Sequence, residues 1–522
     1  TVLIPDMVTI ERSTAELLLK FAQSGGKIFS MGKLPELVEG EADEELTGRL
    51  KNSITFLESK NAAVRIKQMQ EFPVSIAENG KETPNIHIQL RNDGKNKYLY
   101  VVSLDRCRNT SNVLMVPGEW RIYSYDPLGN VKNICGTNYV NGTTTLKFDF
   151  TGAQSVVYIM EPGSRDENRC MAEEADRVFI GTGGRWDIIE AEANSLTLDY
   201  CSYRIENGRW MDRVPVIRLM DILLKEKRPV HVSLKFEFCI EDDPLQHGEI
   251  YLAAEVPEIL KACINGTDVE IGECGWWKDK SFRKYDIRPY LKKGQNEIIL
   301  EIDFVQQQKV YDVLFGKDVL ETEINKLTYD TEIESIYIIG DFGVYNRNGY
   351  QYSWRKELIC DDSFYLKELP DCVYGDDFTS QGFCFFAGKI KVKQKLLLHE
   401  YDDSKGVKIV SNRGKRYIYR FGRLNAMAAR LFINGQWVKD ILWQPYEYDI
   451  TDYVHLGENE IVWELYASNR NLLGPLHHVD GELYAVWPAD FTDTPHEFKE
   501  DQRNVWSDKY HFVKFGVQGG SV

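Results

Sequence analysis

Three stretches of the chain gather side chains suited to recognising a polar, ring-shaped ligand. In GWWKDKSF, residues 275–282, Trp276 and Trp277 are adjacent and are followed by Lys278 and Asp279. Neighbouring residues on a strand face opposite ways. One indole could therefore pack a core while the other stacks on a sugar, with Lys278 or Asp279 donating or accepting hydrogen bonds. The competing assignment packs both rings, one inside a sandwich and one against a neighbouring domain. LWQPYEYDI, residues 442–450, offers Trp443, Pro445 and Tyr446 in the equivalent place, with the same two assignments. SNRNLLGPLHH, residues 468–478, is the densest string. Arg470 has a planar fork of donors for a carboxylate or a diol, and Asn471 can both donate and accept. His477 and His478 are adjacent, so on an extended segment they diverge and cannot share one metal without a bend. Gly474 and Pro475 mark the string as a shaped loop. It either reaches the rim of a substrate site or locks neighbouring domains together.

Other chemistries are weakly represented. Glycosidases use two carboxylates at defined separations; the chain has 80 Asp and Glu, and EEADR at 173–177 and EDD at 241–243 read as solvated loops. The nine histidines show no HxxxH or HExxH spacing, so no metal site is expected. Calcium could sit on YGDDFT at 374–379, although EF-hand spacing is missing. GTGG at 181–184 lacks the strand-to-helix setting of a phosphate loop, and no GxSxG elbow occurs. No cofactor is expected. The formal charge of −17 argues against nucleic acid as a partner. No apolar run approaches the length of a membrane span, and no signal peptide is visible from Thr1. The ten cysteines are scattered singly without a CxxC pair. That pattern favours free thiols in a reducing compartment, the cytoplasm, and leaves a secreted or periplasmic parent open.

The elements that must position these residues are mostly strands. Aromatics make up 12% of the chain, a content that suits pleated surfaces. Residues 1–31 read as strand, helix, strand, with Ala15, Leu18, Leu19 and Ala22 at helical spacing, Ser13 and Glu16 as a capping box, and Gly25-Gly26 as the stop. A further helix is expected near 43–58. From residue 84 the period becomes two. NIHIQLRND, a DG turn and KYLYVVSL read as a hairpin. The expected organisation is the end of an α/β domain plus a helical linker at 1–83 and a small β-sandwich at 84–162. A linker at 163–185 follows. A first jelly roll at 186–345, a connector at 346–364 and a second jelly roll at 365–522 complete it.

The two jelly rolls rest on an internal repeat. INGTDV at 264–269 precedes YDIRPYLKKGQNEIILEI at 285–302, and INGQWV at 433–438 precedes YDITDYVHLGENEIVWEL at 448–465. Asn265-Gly266 and Asn434-Gly435 supply the two positive-φ positions of a type I′ turn. Gly294-x-Asn296 and Gly457-x-Asn459 each lead into a strand with alternate residues facing a core. Asp286 and Asp449 are expected to accept hydrogen bonds from turn backbone N–H groups. Two copies are too few for a solenoid and indicate a duplicated sandwich.

The NG…YDI…GxNxI pattern resembles the sugar-binding jelly rolls of glycoside hydrolase family 2. NSLTLDYC at 194–201, IYIIGDF at 336–342 and SNRNLLGPLHH look similar to the C-terminal half of the large bacterial family 106 α-L-rhamnosidases. The resemblance implies a mainly β chain of galactose-binding-like sandwiches after a partial, flavodoxin-like α/β segment. It also implies a catalytic (β/α) barrel, for which about 250 residues would be needed; these residues do not supply one. The expected function is therefore a non-catalytic C-terminal part of a glycoside hydrolase, a fragment that supports a missing N-terminal catalytic domain and binds carbohydrate. The catalytic residues would lie on that domain, so none is assigned. The alternative is a stand-alone carbohydrate-binding or scaffold protein without enzymatic activity. Carbohydrate is the expected partner, membranes are not, and a homo-oligomer stays open. The carbohydrate candidates are Trp276, Trp277, Asp279, Trp443, Tyr446, Arg470, Asn471, His477 and His478.

Overall fold

The computed structural model describes residues 1–57, 74–106, 108–163, 176–181, 183–244, 248–255, 261–270, 272–317, 319–324, 326–354, 357–398, 401–402, 407–408, 415–487, 490–491 and 505–519. Cys107, Cys170, residues 164–175 of the expected linker and 173–175 of EEADR lie outside them. The fold is mainly β, with a small parallel α/β segment at its start, and the chain divides into two compact units, Thr1–Met171 and Ala172–Val522.

The first unit opens with three parallel strands, Val2–Ile4, Ile28–Ser30 and Thr55–Phe56. Helices Arg12–Gln23 and Glu44–Ser53 connect them, and Ala15, Leu19, Leu46 and Leu50 form the core between them. Two expectations are corrected here. The Ser13 capping box does not form, because the first helix starts after Glu11 and has no side-chain cap. The second helix, expected near 43–58, ends earlier, at Ser53, where the third strand follows. Its cap is Asp43, whose carboxylate accepts from Leu46 N at 3.0 Å.

The small sandwich follows. One sheet holds Ile86–Asn92 and Lys97–Ser103 as the expected hairpin, with Leu90 opposite Leu99. The facing sheet includes Ser75–Glu78, Thr110–Pro117 and Thr143–Phe150. Leu99, Val101, Leu114, Val116, Ile122 and Met160 are fully buried between them. Ser75–Glu78 and Lys81–Glu82, expected to precede the sandwich, belong to it; their few residues are too short to show alternation.

In the second unit both NG turns form as expected, with φ of 51° and 80° at Asn265 and Gly266, and 50° and 76° at Asn434 and Gly435. Beyond each turn the long strands Gly294–Phe304 and Gly457–Tyr466 bury alternate residues. The first-copy sandwich pairs the sheet around Val230–Ile240 and Gly294–Phe304 with a sheet of Asn194–Leu198, Ile336–Gly340, Ile250–Ala254, Asp279–Asp286 and Glu273–Trp277. The second-copy sandwich is built differently from the expected boundaries. Arg185–Ala191 pairs with Lys389–Leu398, and Asp176–Gly181 runs parallel to Lys415–Asn425. Residues 176–191, expected as linker and first jelly roll, thus close the second-copy sheets, and the first-copy sandwich is inserted between them and residue 372. Phe364–Lys367 in turn pairs with Val230–Ile240, so it belongs to the first copy. Long-range pairing of this kind leaves no signature in local periodicity.

Asn194 fastens the nested arrangement. It is buried, and its amide donates to Phe342 O at 2.9 Å and Gly382 O at 2.7 Å. A small apolar cluster, Ala253, Tyr337, Ile339, Ala387 and Leu472, packs beside it.

Candidate functional site

The 467–478 segment is the centre of the second unit's candidate chemistry, because cavities lie against it on two sides. Asn471 is buried and exchanges two 2.8 Å hydrogen bonds with the Val513 backbone, one through each side-chain atom. Leu472 O accepts from Thr197 Oγ1 at 3.2 Å, which ties the segment to the first-copy sandwich. With Asn471 and Leu472 fixed, Arg470 turns to one cavity and His477 to the other.

His477 is held at both ring nitrogens. Nε2 lies 3.0 Å from Asp199 Oδ2 and Nδ1 lies 2.8 Å from Ser507 O. Its ring stacks on Trp506 with centroids 4.4 Å apart. Tyr510 donates its hydroxyl to the other Asp199 oxygen. Full burial pushes the Tyr510 phenol well above its usual range, and the Asp199 charge adds to this. The network orients one wall of a cavity of about 740 Å³.

That cavity is acidic and aromatic. Asp199, Asp221, Glu255, Glu332, Glu334 and Asp490 line it, and no Lys or Arg does so among the described residues. Phe282, Tyr329, Tyr337, Phe491 and Trp506 supply ring faces. The extended stretch ahead of Ile336–Gly340 alternates, with Ile333 buried and Glu332 and Glu334 open to the lumen. Glu334 lines the cavity and keeps contact with solvent, although protein crowds its carboxyl. Burial pushes its carboxyl up to about 7, and Glu255 and Glu332 add like-charge repulsion. Near neutral pH this group can both donate and accept a proton. Among the described residues, no three His, Cys, Asp or Glu side chains converge as metal ligands. In YGDDFT, Asp376 pairs with Lys514 at 3.2 Å and Asp377 accepts from Tyr352 and Ser380.

The other candidates do not line this cavity. Trp276 is 55% exposed on the strand Glu273–Trp277. Trp277 turns inward against Tyr337 at 5.6 Å and Phe282 at 6.5 Å. Asp279 Oδ1 accepts from both Ser281 N and Oγ at 3.0 Å. Trp443 is 46% exposed. Tyr446 stacks on Phe421 at 4.7 Å. His478 is buried, with Nε2 3.6 Å from Asp490 Oδ1 and Nδ1 accepting from Asp480 N. Of the nine candidates, His477 alone lines the acidic cavity, while Arg470 and Asn471 line the cavity on the other side of the segment. Asp199, Glu334 and Trp506 were not singled out from sequence. The available signals were a lone acid closing the apolar run NSLTLD and the E-x-E spacing of Glu332 and Glu334 ahead of a buried strand.

No protein-family model matches the chain, and no curated protein does. Among solved structures it is similar to a rhamnosidase from Novosphingobium sp. PP1Y, with a TM-score of 0.27 and 13% identity over 63% of this chain and 33% of that one. A β-D-mannosidase from Dictyoglomus thermophilum matches with a TM-score of 0.21 and 12% identity, over 53% of this chain and 31% of that one. A β-glucuronidase from Ruminococcus gnavus matches with a TM-score of 0.21 and 11% identity, over 54% and 40%. The chain spans less than half the length of each. The likeness is distant and partial.

Proposed function

We propose that this chain is a non-catalytic part of a glycoside hydrolase, supporting a catalytic barrel outside these residues and binding carbohydrate in the cavity beside Asp199 and His477. The observation that carries the carbohydrate assignment is the cavity's composition. Sugar rings offer hydroxyl donors on their edges and C–H faces above and below. Carboxylates are charge-assisted acceptors for the former, and the rings of Trp506, Tyr337 and Phe282 suit the latter. About 740 Å³ lies within the range of small-ligand pockets. A lining of six acids, without Lys or Arg among the described residues, disfavours phosphates and other anions. The parent reaction on this reading is hydrolysis of a glycosidic bond to a terminal rhamnose or similar sugar.

Calorimetric titration with a panel of neutral mono- and oligosaccharides, rhamnose included, tests it, with hydrolysis assayed in the same tubes. Saturable binding without turnover is expected, and the double substitution Glu332→Gln, Glu334→Gln should weaken it. Absence of binding across the panel would sink the carbohydrate assignment. Turnover would sink the non-catalytic one.

A further inference from the structure

A second cavity, of about 820 Å³, borders the 467–478 segment on its Arg470 side. Its charges are almost all spoken for. Lys514 Nζ lies 3.2 Å from Asp376 Oδ2, and Arg470 Nε lies 2.8 Å from Glu482 Oε2. Arg423 is the exception. It lines the cavity and is exposed, and it makes no ion pair or side-chain hydrogen bond among the described residues. An unpaired guanidinium in a cavity is notable in a chain of net charge −17.

Its position is built into the backbone. Strand Lys415–Asn425 pairs with Gly516–Gly519, and the register slips between Phe421 and Arg423. Without the slip, Arg423 would face the same side as the buried Phe421. With it, Leu424 takes the core position and Arg423 turns outward. Gly422 allows the close approach, since a Cβ there would stand 2.8 Å from Gly519 O. Bulges of this kind re-aim side chains and are enriched beside binding sites. The same cavity is lined by Trp354, 86% exposed, and by the amide side chains of Asn425 and Gln518. The site therefore combines an exposed indole, the Gln518 amide, the Asn425 amide that donates to Asp376 O at 3.4 Å, and one fork donor unpaired among the described residues.

We propose that this cavity binds a saccharide bearing one anionic group, a ring carboxylate or a sulfate ester, with Arg423 on the anion and Trp354 under the sugar ring. Arg423 matches both anions, because its planar fork donates two parallel hydrogen bonds to paired oxygens. This site is distinct from the acidic cavity, and the assignment does not rest on that cavity binding sugar.

The purified chain is titrated with D-galacturonate, D-glucuronate and D-galactose 6-sulfate, with D-galactose and D-glucose as neutral controls. At least one anionic sugar should bind about tenfold or more tightly than its neutral parent, the effect of one hydrogen-bonded charge pair. Raising salt from about 0.02 to 0.5 M should weaken that binding by screening. Arg423→Gln should bring affinity down to the neutral level with an unchanged melting temperature, since the side chain is exposed. Trp354→Ala should weaken all sugars at this site. Preference for the uronates or for the sulfate ester identifies the anion, and either result supports the proposal. Equal affinity for charged and neutral sugars, no saturable binding of any anionic sugar, or an unaffected Arg423→Gln variant would overturn it.

Discussion

Asn296 and Asn459 are fully buried, and each closes the same loop in its own copy of the repeat. Asn459 Nδ2 donates to His455 O at 2.7 Å, its Oδ1 accepts from His455 N at 2.9 Å, and the same oxygen accepts from Asn434 Nδ2 at 2.8 Å. Asn296 repeats this with Lys292 and Asn265 at 2.7, 2.9 and 2.9 Å. The GxN signature is thus a hydrogen-bonding device for the NG turn. Asn459→Ala leaves several buried partners unsatisfied and should cost about 2–4 kcal/mol, read from urea unfolding; a loss below about 0.5 kcal/mol would contradict the role. Asp286 and Asp449 accept from the N–H groups of Arg288 and Thr451 at 3.1 and 3.0 Å, as expected for turn acceptors. Glu334 makes a prediction of its own. Its carboxyl is raised from 4.5 to about 7 by burial and by Glu255 and Glu332. A raised carboxyl lets the native state bind more protons than the unfolded chain. Its stabilising contribution is therefore full below pH 4.5 and lost as pH rises through about 7. Glu334→Gln should flatten the decline in melting temperature across that window. An unchanged pH profile would contradict the shift. These residues differ in legibility. The asparagines announce themselves by repetition, whereas Glu334 looks like any acid until its neighbours in space are known.

The elements follow the sequence where pairing is local and depart from it where pairing is distant. The hairpin Ile86–Asn92/Lys97–Ser103 and both NG turns are readable because turn chemistry and alternation sit side by side in the chain. The strand Arg185–Ala191 is readable as a strand, but its partner Lys389–Leu398 lies about 200 positions away, and nothing local names it. The bulge before Arg423 is equally hidden, because RFGRLN carries only a glycine as a hint. The nesting has a direct consequence. A chain restricted to residues 365–522 lacks both strands of 176–191, leaving the sheet edges at Lys389–Leu398 and Lys415–Asn425 uncovered. Unpaired edges favour aggregation. That fragment should be insoluble or lack dispersed amide resonances in NMR spectra, and restoring 176–193 through a flexible linker should recover them. A well-folded 365–522 fragment would contradict the nested topology.

Across the second unit, a single segment separates opposite electrostatic environments. Among the described residues, His477 faces a cavity lined by six carboxylates, while Arg470 borders one whose Arg423 has no ion-pair partner. Composition announced the β-rich architecture and the overall acidity, and SNRNLLGPLHH marked the stretch that both cavities share. The walls came from elsewhere: Asp199, Glu334 and Trp506 lie far apart in sequence and meet only through the sandwich packing. Calorimetric titration of neutral saccharides against the chain and its Glu332→Gln, Glu334→Gln variant, with hydrolysis followed in parallel, decides whether the acidic cavity is a carbohydrate site. Saturable binding to the unaltered chain, weaker binding to the variant and no turnover by either are expected. Equal binding by both, no binding at all, or release of sugar would contradict that expectation.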